Sequence, residues 1–318
     1  MDQLQPPFIS PRFAGIATFF RLPHVADPSR LDVAICGVPF DGGVTNRPGA
    51  RLGPRQVREM SASFIRRVHP GSNEAPADRC RVGDLGDSPV NPIDQQDSLR
   101  LIADYFAAIH RAGAVPLAIG GDHLVSLPIL RGIARERPVG MVHFDAHTDT
   151  YDAVWSAASK YDNGTVFRRA VEEGLLDPKR TIQIGIRGSR FGFNDLEYSQ
   201  KSGMRVVTID EFFELGTERV VAEARRVAGD GPTYVSFDVD GLDAVFVPGT
   251  GAPEVGGYTT RDAQVMIRGL KGLNLVGADM VEVCPLMDES GATARVGANI
   301  AFELLEVLTD SVARRNRR

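Results

Sequence analysis

Short apolar runs alternate with helix-period segments along most of this chain, and that alternation limits it to a sheet of parallel strands joined by helical crossovers. Runs at 31–38, 81–85, 115–119, 139–145, 181–186, 205–209, 233–240 and 275–283 have the length and composition of buried strands. Helical stretches separate them. One begins near Pro54, and a second carries Leu99, Ile102, Phe106 and Ile109 on one face with Gly113 as its cap. Others fall at 124–134 despite Pro128, and at 165–173, 218–227 and 298–313. No repeat, low-complexity tract or linker divides residues 1–318, so a doubly wound, mostly parallel α/β domain is predicted. Prolines at 6, 7, 11, 23 and 28 mark an irregular arm over about 1–30. Arg51 reads as a structural loop arginine, and Arg314 to Arg318 as a solvated tail.

In such sheets ligands collect at the carboxyl ends of the strands, and the polar residues of this sequence concentrate there. Asp145, His147 and Asp149 follow one another at period two, so an extended strand would turn all three to one face. His123 follows Gly120-Gly121-Asp122 at another strand end, Asp238 and Asp240 close a third, and Glu282 stands at a fourth. Two histidines and four aspartates without thiolates suit Mn²⁺ or a neighbouring divalent ion. About four negative charges match two divalent cations, which acidify a shared water for attack on an electrophilic carbon. His143 shares the strand's parity but lies deeper, and is expected to be a satisfied core histidine.

Net charge bears on the partner. At −5, with a pI near 5.7, the chain is poorly suited to nucleic acid or an anionic membrane and better suited to a small cation. Cys36, Cys80 and Cys284 form no CxxC pair, so neither a disulfide framework nor a zinc ribbon is expected, and a reducing cytoplasm is. Neither a signal segment nor a membrane-length apolar run is read in the sequence.

The segments GGDH at 120–123, DAHTD at 145–149 and SFDVDGLD at 236–243, followed by PGTGAPEVGG, resemble the ureohydrolase family of arginases, agmatinases, guanidinobutyrases and guanidinopropionases. The agmatinase-like branch is the nearer in form. The resemblance implies a three-layer α/β/α fold, a dinuclear Mn²⁺ or Ni²⁺ site on His123, Asp145, His147, Asp149, Asp238 and Asp240, and hydrolysis of a guanidino compound to urea and an amine. It also implies that Glu282 binds the guanidinium, that Asp149 passes a proton to the leaving nitrogen, and that the chain assembles as a trimer or hexamer.

Three positions depart from the family pattern. Asn163 stands before Gly164 where relatives carry a histidine assigned to proton transfer, Ala252 replaces a common threonine, and Ala244 a common proline. Asparagine does not titrate. With Asn163 and Ala252 as substrate-binding positions, these changes suit a wider pocket and a bulkier, N-substituted guanidine, as in the metformin hydrolases of this branch. An ordinary agmatinase or guanidinobutyrase, a non-catalytic partner in a hetero-oligomer, and a mono-zinc deacylase are the alternatives. Tyr151, Trp155 and Tyr161, in the loop ending at Asn163, are candidates for contacts to the substrate's tail.

Overall fold

The computed structural model describes residues 11, 13–63, 68–156 and 159–317. Among the described residues eight strands form one sheet: β1 (Val33–Gly37), β2 (Val82–Asp87), β3 (Val115–Ile119), β4 (Val139–Phe144), β5 (Leu176–Ile186), β6 (Arg205–Thr208), β7 (Thr233–Asp238) and β8 (Leu275–Val281). Their spatial order is β2-β1-β3-β8-β7-β4-β5-β6, and every pairing is parallel. The helices are α1 (Gly53–Ser61), α2 (Pro76–Arg79), α3 (Gln95–Arg111), α4 (Ser126–Ile133), α5 (Val166–Glu172), α6 (Glu197–Ser202), α7 (Ile209–Leu215), α8 (Thr217–Ala228), α9 (Thr260–Gly269) and α10 (Ala292–Asn316).

The strands have no polar face because both of their faces are covered. Along β1, Val33 and Ile35 enter a core shared with α1, α8, α9 and α10, whereas Ala34 and Cys36 enter a second core with α3, α4 and α5. Period-two alternation thus feeds two apolar layers, which is the three-layer α/β/α arrangement expected. Among the described residues no helix is long and apolar enough to cross a membrane.

Strand order positions the site. β3, β8, β7 and β4 are consecutive neighbours at the centre of the sheet. Neighbouring strands lie only about 4.8 Å apart, so residues far apart in sequence leave the same edge side by side. Gly121 sits at this edge, where an added Cβ would lie 1.6 Å from the carbonyl oxygen of Phe40. Backbone cannot yield as a flexible side chain can. Gly121→Ala is therefore expected to cost about 3 kcal/mol, read as a lowered urea midpoint at unchanged m-value.

Several boundaries differ from the sequence reading. β4, β7 and β8 stop at Phe144, Asp238 and Val281, short of the expected ends at 145, 240 and 283. Ile209, expected to close a strand, opens α7, because the Thr208 side chain accepts from Glu211 N and caps a helix there. α6, α7 and α9 were not foreseen, although Thr259 and Asp262 form a capping box at α9 that the sequence does display. α10 begins at Ala292 and runs to Asn316, so the expected tail is largely helix, with Arg314 bonded to Asp310 and to the Leu273 carbonyl.

Of the expected arm, residues 1–10 and 12 lie outside the described residues. Phe13 and Ile16 are exposed, whereas the following stretch packs on the body: Phe19, Phe20 and Leu22 are buried, and the Phe19 and Phe20 amides donate to Asp84 and Ser61. Arg51 pairs with Asp41 within its loop, as a structural arginine would.

Candidate active site

At the ends of three of the four central strands, β3, β4 and β7, an aspartate side chain captures the amide two residues on. Asp145 accepts from His147 N at 2.6 Å, Asp238 from Asp240 N at 2.8 Å and Asp122 from Leu124 N at 3.0 Å. At β4 and β7 these turns replace the sheet ladder, and so the two strands finish early. The extended geometry expected for 145–149 is accordingly absent, and Asp149 is left-handed at φ 52°. Convergence survives by another route, as the turn folds the side chains inward over the sheet edge.

His123 Nδ1 lies 3.1 Å from Asp145 Oδ2, 2.9 Å from Asp149 Oδ2 and 3.1 Å from Asp238 Oδ2. His147 Nδ1 lies 3.1 Å from Asp240 Oδ2 and 3.4 Å from Asp145 Oδ1. All six predicted residues therefore meet, in two halves that share Asp145. Five are buried, whereas the His147 side chain retains 28% exposure and marks the mouth.

The electrostatics are those of a pocket short of positive charge. Burial, then the charge of Asp145, pushes Asp149 up to about 7, and burial with neighbouring carboxylates raises Asp238 and Asp240. Burial opposes ionisation of Asp145 too, but the histidines around its oxygens hold it well below the ordinary carboxylate range. For His123 burial favours the neutral ring, yet Asp145, Asp149 and Asp238 outweigh it and raise the imidazole. Buried His123 Nδ1 has no satisfied hydrogen bond in the midst of these oxygens. Histidine nitrogens and carboxylates gathered in this way are able to bind metal ions, and Asp145, His147 and Asp240 alone bring three donor atoms within 4.8 Å of one another.

Glu282 adjoins the cluster, also left-handed, at φ 64°. Such strained backbone concentrates at functional sites. Its Oε1 accepts from His123 N at 2.8 Å and from Asn163 Nδ2 at 3.0 Å, and burial raises its carboxyl. Asn163 is fixed by its amide to the Gly43 carbonyl, and its Oδ1 is buried without a partner, as is Thr250 Oγ1. An added Cβ on Gly251 would sit 3.4 Å from Glu282 Oε2, so the 250–252 segment, including half-buried Ala252, borders the carboxylate.

The tail candidates separate. Trp155 is 70% exposed with Nε1 on the Thr45 carbonyl, and Tyr151 donates to Asp195, whereas Tyr161 lies beneath Arg131 of α4.

Sequence reasoning missed the support behind His123. Its Nε2 meets Ser236 Oγ at 2.8 Å, and Ser236 donates to Asp279, which also accepts from Tyr234 and Ser126. An aspartate inside the apolar run of β8 was the available signal, because a buried carboxylate requires partners.

The family model described as Arginase family matches residues 31–306. The chain is similar to the guanidinopropionase of Pseudomonas aeruginosa, with 60% identity over 304 residues, 96% of this chain and 95% of that protein. Similarity to the guanidinobutyrase of the same organism is 45% over 308 residues, 96% of each. The solved structure of proclavaminate amidino hydrolase from Streptomyces clavuligerus superposes with a TM-score of 0.90 at 39% identity, covering 95% of this chain and all of that one. On the match over most of its length, and on the fold and converging residues that accompany it, this chain belongs to the arginase family.

Proposed function

We propose that this hydrolase cleaves the guanidino C–N bond of a short guanidino acid, releasing urea and an amino acid, in a site that holds two divalent ions. The carrying observation is the placement of Glu282, a buried carboxylate held against the six-residue cluster with one oxygen already bonded and the other facing the 250–252 segment. The acid tail is suggested by the relatives named guanidinopropionase and guanidinobutyrase.

His123, Asp145, Asp149 and Asp238 would hold one ion, and His147, Asp145 and Asp240 the other. When bound, Mn²⁺ or Ni²⁺ supplies Lewis acidity, which acidifies water and offsets charge at an attacked carbon. The remaining work belongs to side chains. A guanidinium has only N–H donors, so Glu282 Oε2, Asn163 Oδ1 and Thr250 Oγ1 are suitable acceptors for it. Asp149, within the cluster, would carry a proton to the leaving nitrogen. Trp155 and Tyr151 are offered to the tail. Asn163 occupies its place with a bond to Glu282 instead of leaving it open, which favours an unbranched guanidine over the N-substituted or biguanide substrate.

Urea release from 3-guanidinopropionate, 4-guanidinobutyrate, agmatine and dimethylbiguanide tests the reading. The highest kcat/KM is expected for a guanidino acid; preference for agmatine would remove the acid tail, and preference for the biguanide would restore the wide-pocket reading. A folded, metal-loaded protein that turns over none of the four would support a partner-subunit role. Trimeric or hexameric assembly, with itself or a related subunit, is a proposal for light scattering.

Two further outcomes follow. Asn163→His places an imidazole, whose ordinary titration lies near neutrality, beside Glu282, so its kcat/KM profile is expected to differ from the parent's at roughly pH 6–7. The second concerns the stripped protein. Asp149 is raised to about 7 when folded, against about 3.9 unfolded, so its contribution is present below the unfolded value and is lost as pH rises through the folded one. Mn²⁺ meets less proton competition there, and the gain in Tm on adding it is expected to be larger at pH 8 than at pH 5.5 in paired melts with and without chelator.

A further inference from the structure

His143 invites reading as another metal ligand, since its ring lies beside His123 and Asp145 and the three offer donor atoms within 4.8 Å of one another. Its hydrogen bonds assign it a different task. In the parallel register His143 of β4 stands directly across from Gln183 of β5 on one side and Ser236 of β7 on the other, and Ser236 stands across from Asp279 of β8. A buried polar row therefore crosses four strands. It runs one side-chain step beneath Asp145 and Asp238, which lie two residues beyond His143 and Ser236.

One end of the row fixes itself without ambiguity. Gln183 Nε2 reaches the Thr148 carbonyl at 2.6 Å, and since a carbonyl only accepts, the amide nitrogen must lie on that side. The same nitrogen lies 3.1 Å from His143 Nδ1, which then receives its second hydrogen. A neutral imidazole keeps one lone pair and one N–H, so Nε2 carries the hydrogen and donates it to Asp145 Oδ2 at 2.7 Å. Both ring nitrogens are thereby committed. Neither has a lone pair for a cation. The amide carbonyl of Gln183 is left buried without a partner, so the side chain is not oriented by its own satisfaction.

We propose that His143, oriented by Gln183, is a positioning residue that locks the rotamer of Asp145 and so sets the affinity of both halves of the site for divalent ions. Asp145 is the carboxylate common to the two halves, with Oδ2 directed toward His123 and Oδ1 toward His147. His143 and the His147 amide pin those oxygens one each. Gln183, by holding the Thr148 carbonyl, ties the turn at 145–149 to β5 as well. The inference rests on the reading that the cluster binds divalent ions.

Calorimetric titration of metal-stripped protein with Mn²⁺ tests it, with chelator-state melts as the check on folding. His143→Leu removes the donor, and its affinity is expected to fall about 10–100-fold for both ions while stoichiometry at saturation is kept, the range typical for partners that orient ligands. His143→Gln can still present an N–H to Asp145 and is expected to stay within roughly threefold of the parent. Unchanged affinity in His143→Leu would overturn the proposal, and loss of one whole ion at saturation would make His143 a ligand and overturn it equally. If His143→Leu does not fold, Gln183→Met decides. Weaker binding there supports the fixed tautomer, and parental binding overturns it. A parent protein that binds no Mn²⁺ would refute the metal reading itself, which is a separate result.

Discussion

Asp145→Asn is expected to lower kcat/KM by at least about 10³-fold, or about 4 kcal/mol of activation free energy, and to leave the protein short of metal at concentrations that saturate the parent. The size follows from position. Asp145 lies within 3.1 Å of His123 and 3.4 Å of His147, so one substitution removes a full negative charge from both halves of the site. Burial makes that charge more consequential than it would be in water. The amide nearly matches the carboxylate in shape, so the turn can retain its bond to His147 N. Elemental analysis beside steady-state kinetics checks the prediction: parental metal content together with parental kcat/KM would show that the carboxylate carries neither property.

Glu282→Gln is expected to lower kcat/KM by roughly 10²-fold, in line with the loss of a charge-assisted hydrogen bond in a buried site, with metal content unchanged. The amide oxygen of the variant would still accept from the His123 amide and Asn163, so the local fold has no reason to change. What changes is the second oxygen. An amide NH₂ in the place of Oε2 would present hydrogens to a guanidinium that offers only hydrogens. Tight binding of Mn²⁺ with weak turnover is thus the expected signature, distinguishing Glu282 from the six cluster residues. Equal loss of metal and activity would place Glu282 among the ligands instead.

How much of this was legible in the sequence depended on whether the signal was local. The alternation of apolar runs and helical segments foretold the sheet, and the donors at its strand ends foretold which residues meet. The period-two pattern of Asp145, His147 and Asp149 foretold that these residues converge, but through the wrong geometry, because an aspartate turn ends the strand at Phe144. The polar row of Gln183, His143, Ser236 and Asp279 was out of reach, since it exists only once strand order and register are known. Asn163 stood out as a departure, but its bond to Glu282 joins residues 119 apart in sequence and could not be read. Tyr161 was grouped with Tyr151 and Trp155 by its loop, and packing on Arg131 turned it elsewhere.

On the proposed reading, the converging histidines and aspartates hold divalent ions on which guanidine hydrolysis depends. Urea release from 3-guanidinopropionate, followed while metal-stripped protein is titrated with Mn²⁺, reads that dependence. Activity is expected to rise from near zero and level off at about two equivalents per chain, as the charge of the cluster requires. Full activity in the stripped protein, or a plateau at one equivalent, would contradict it.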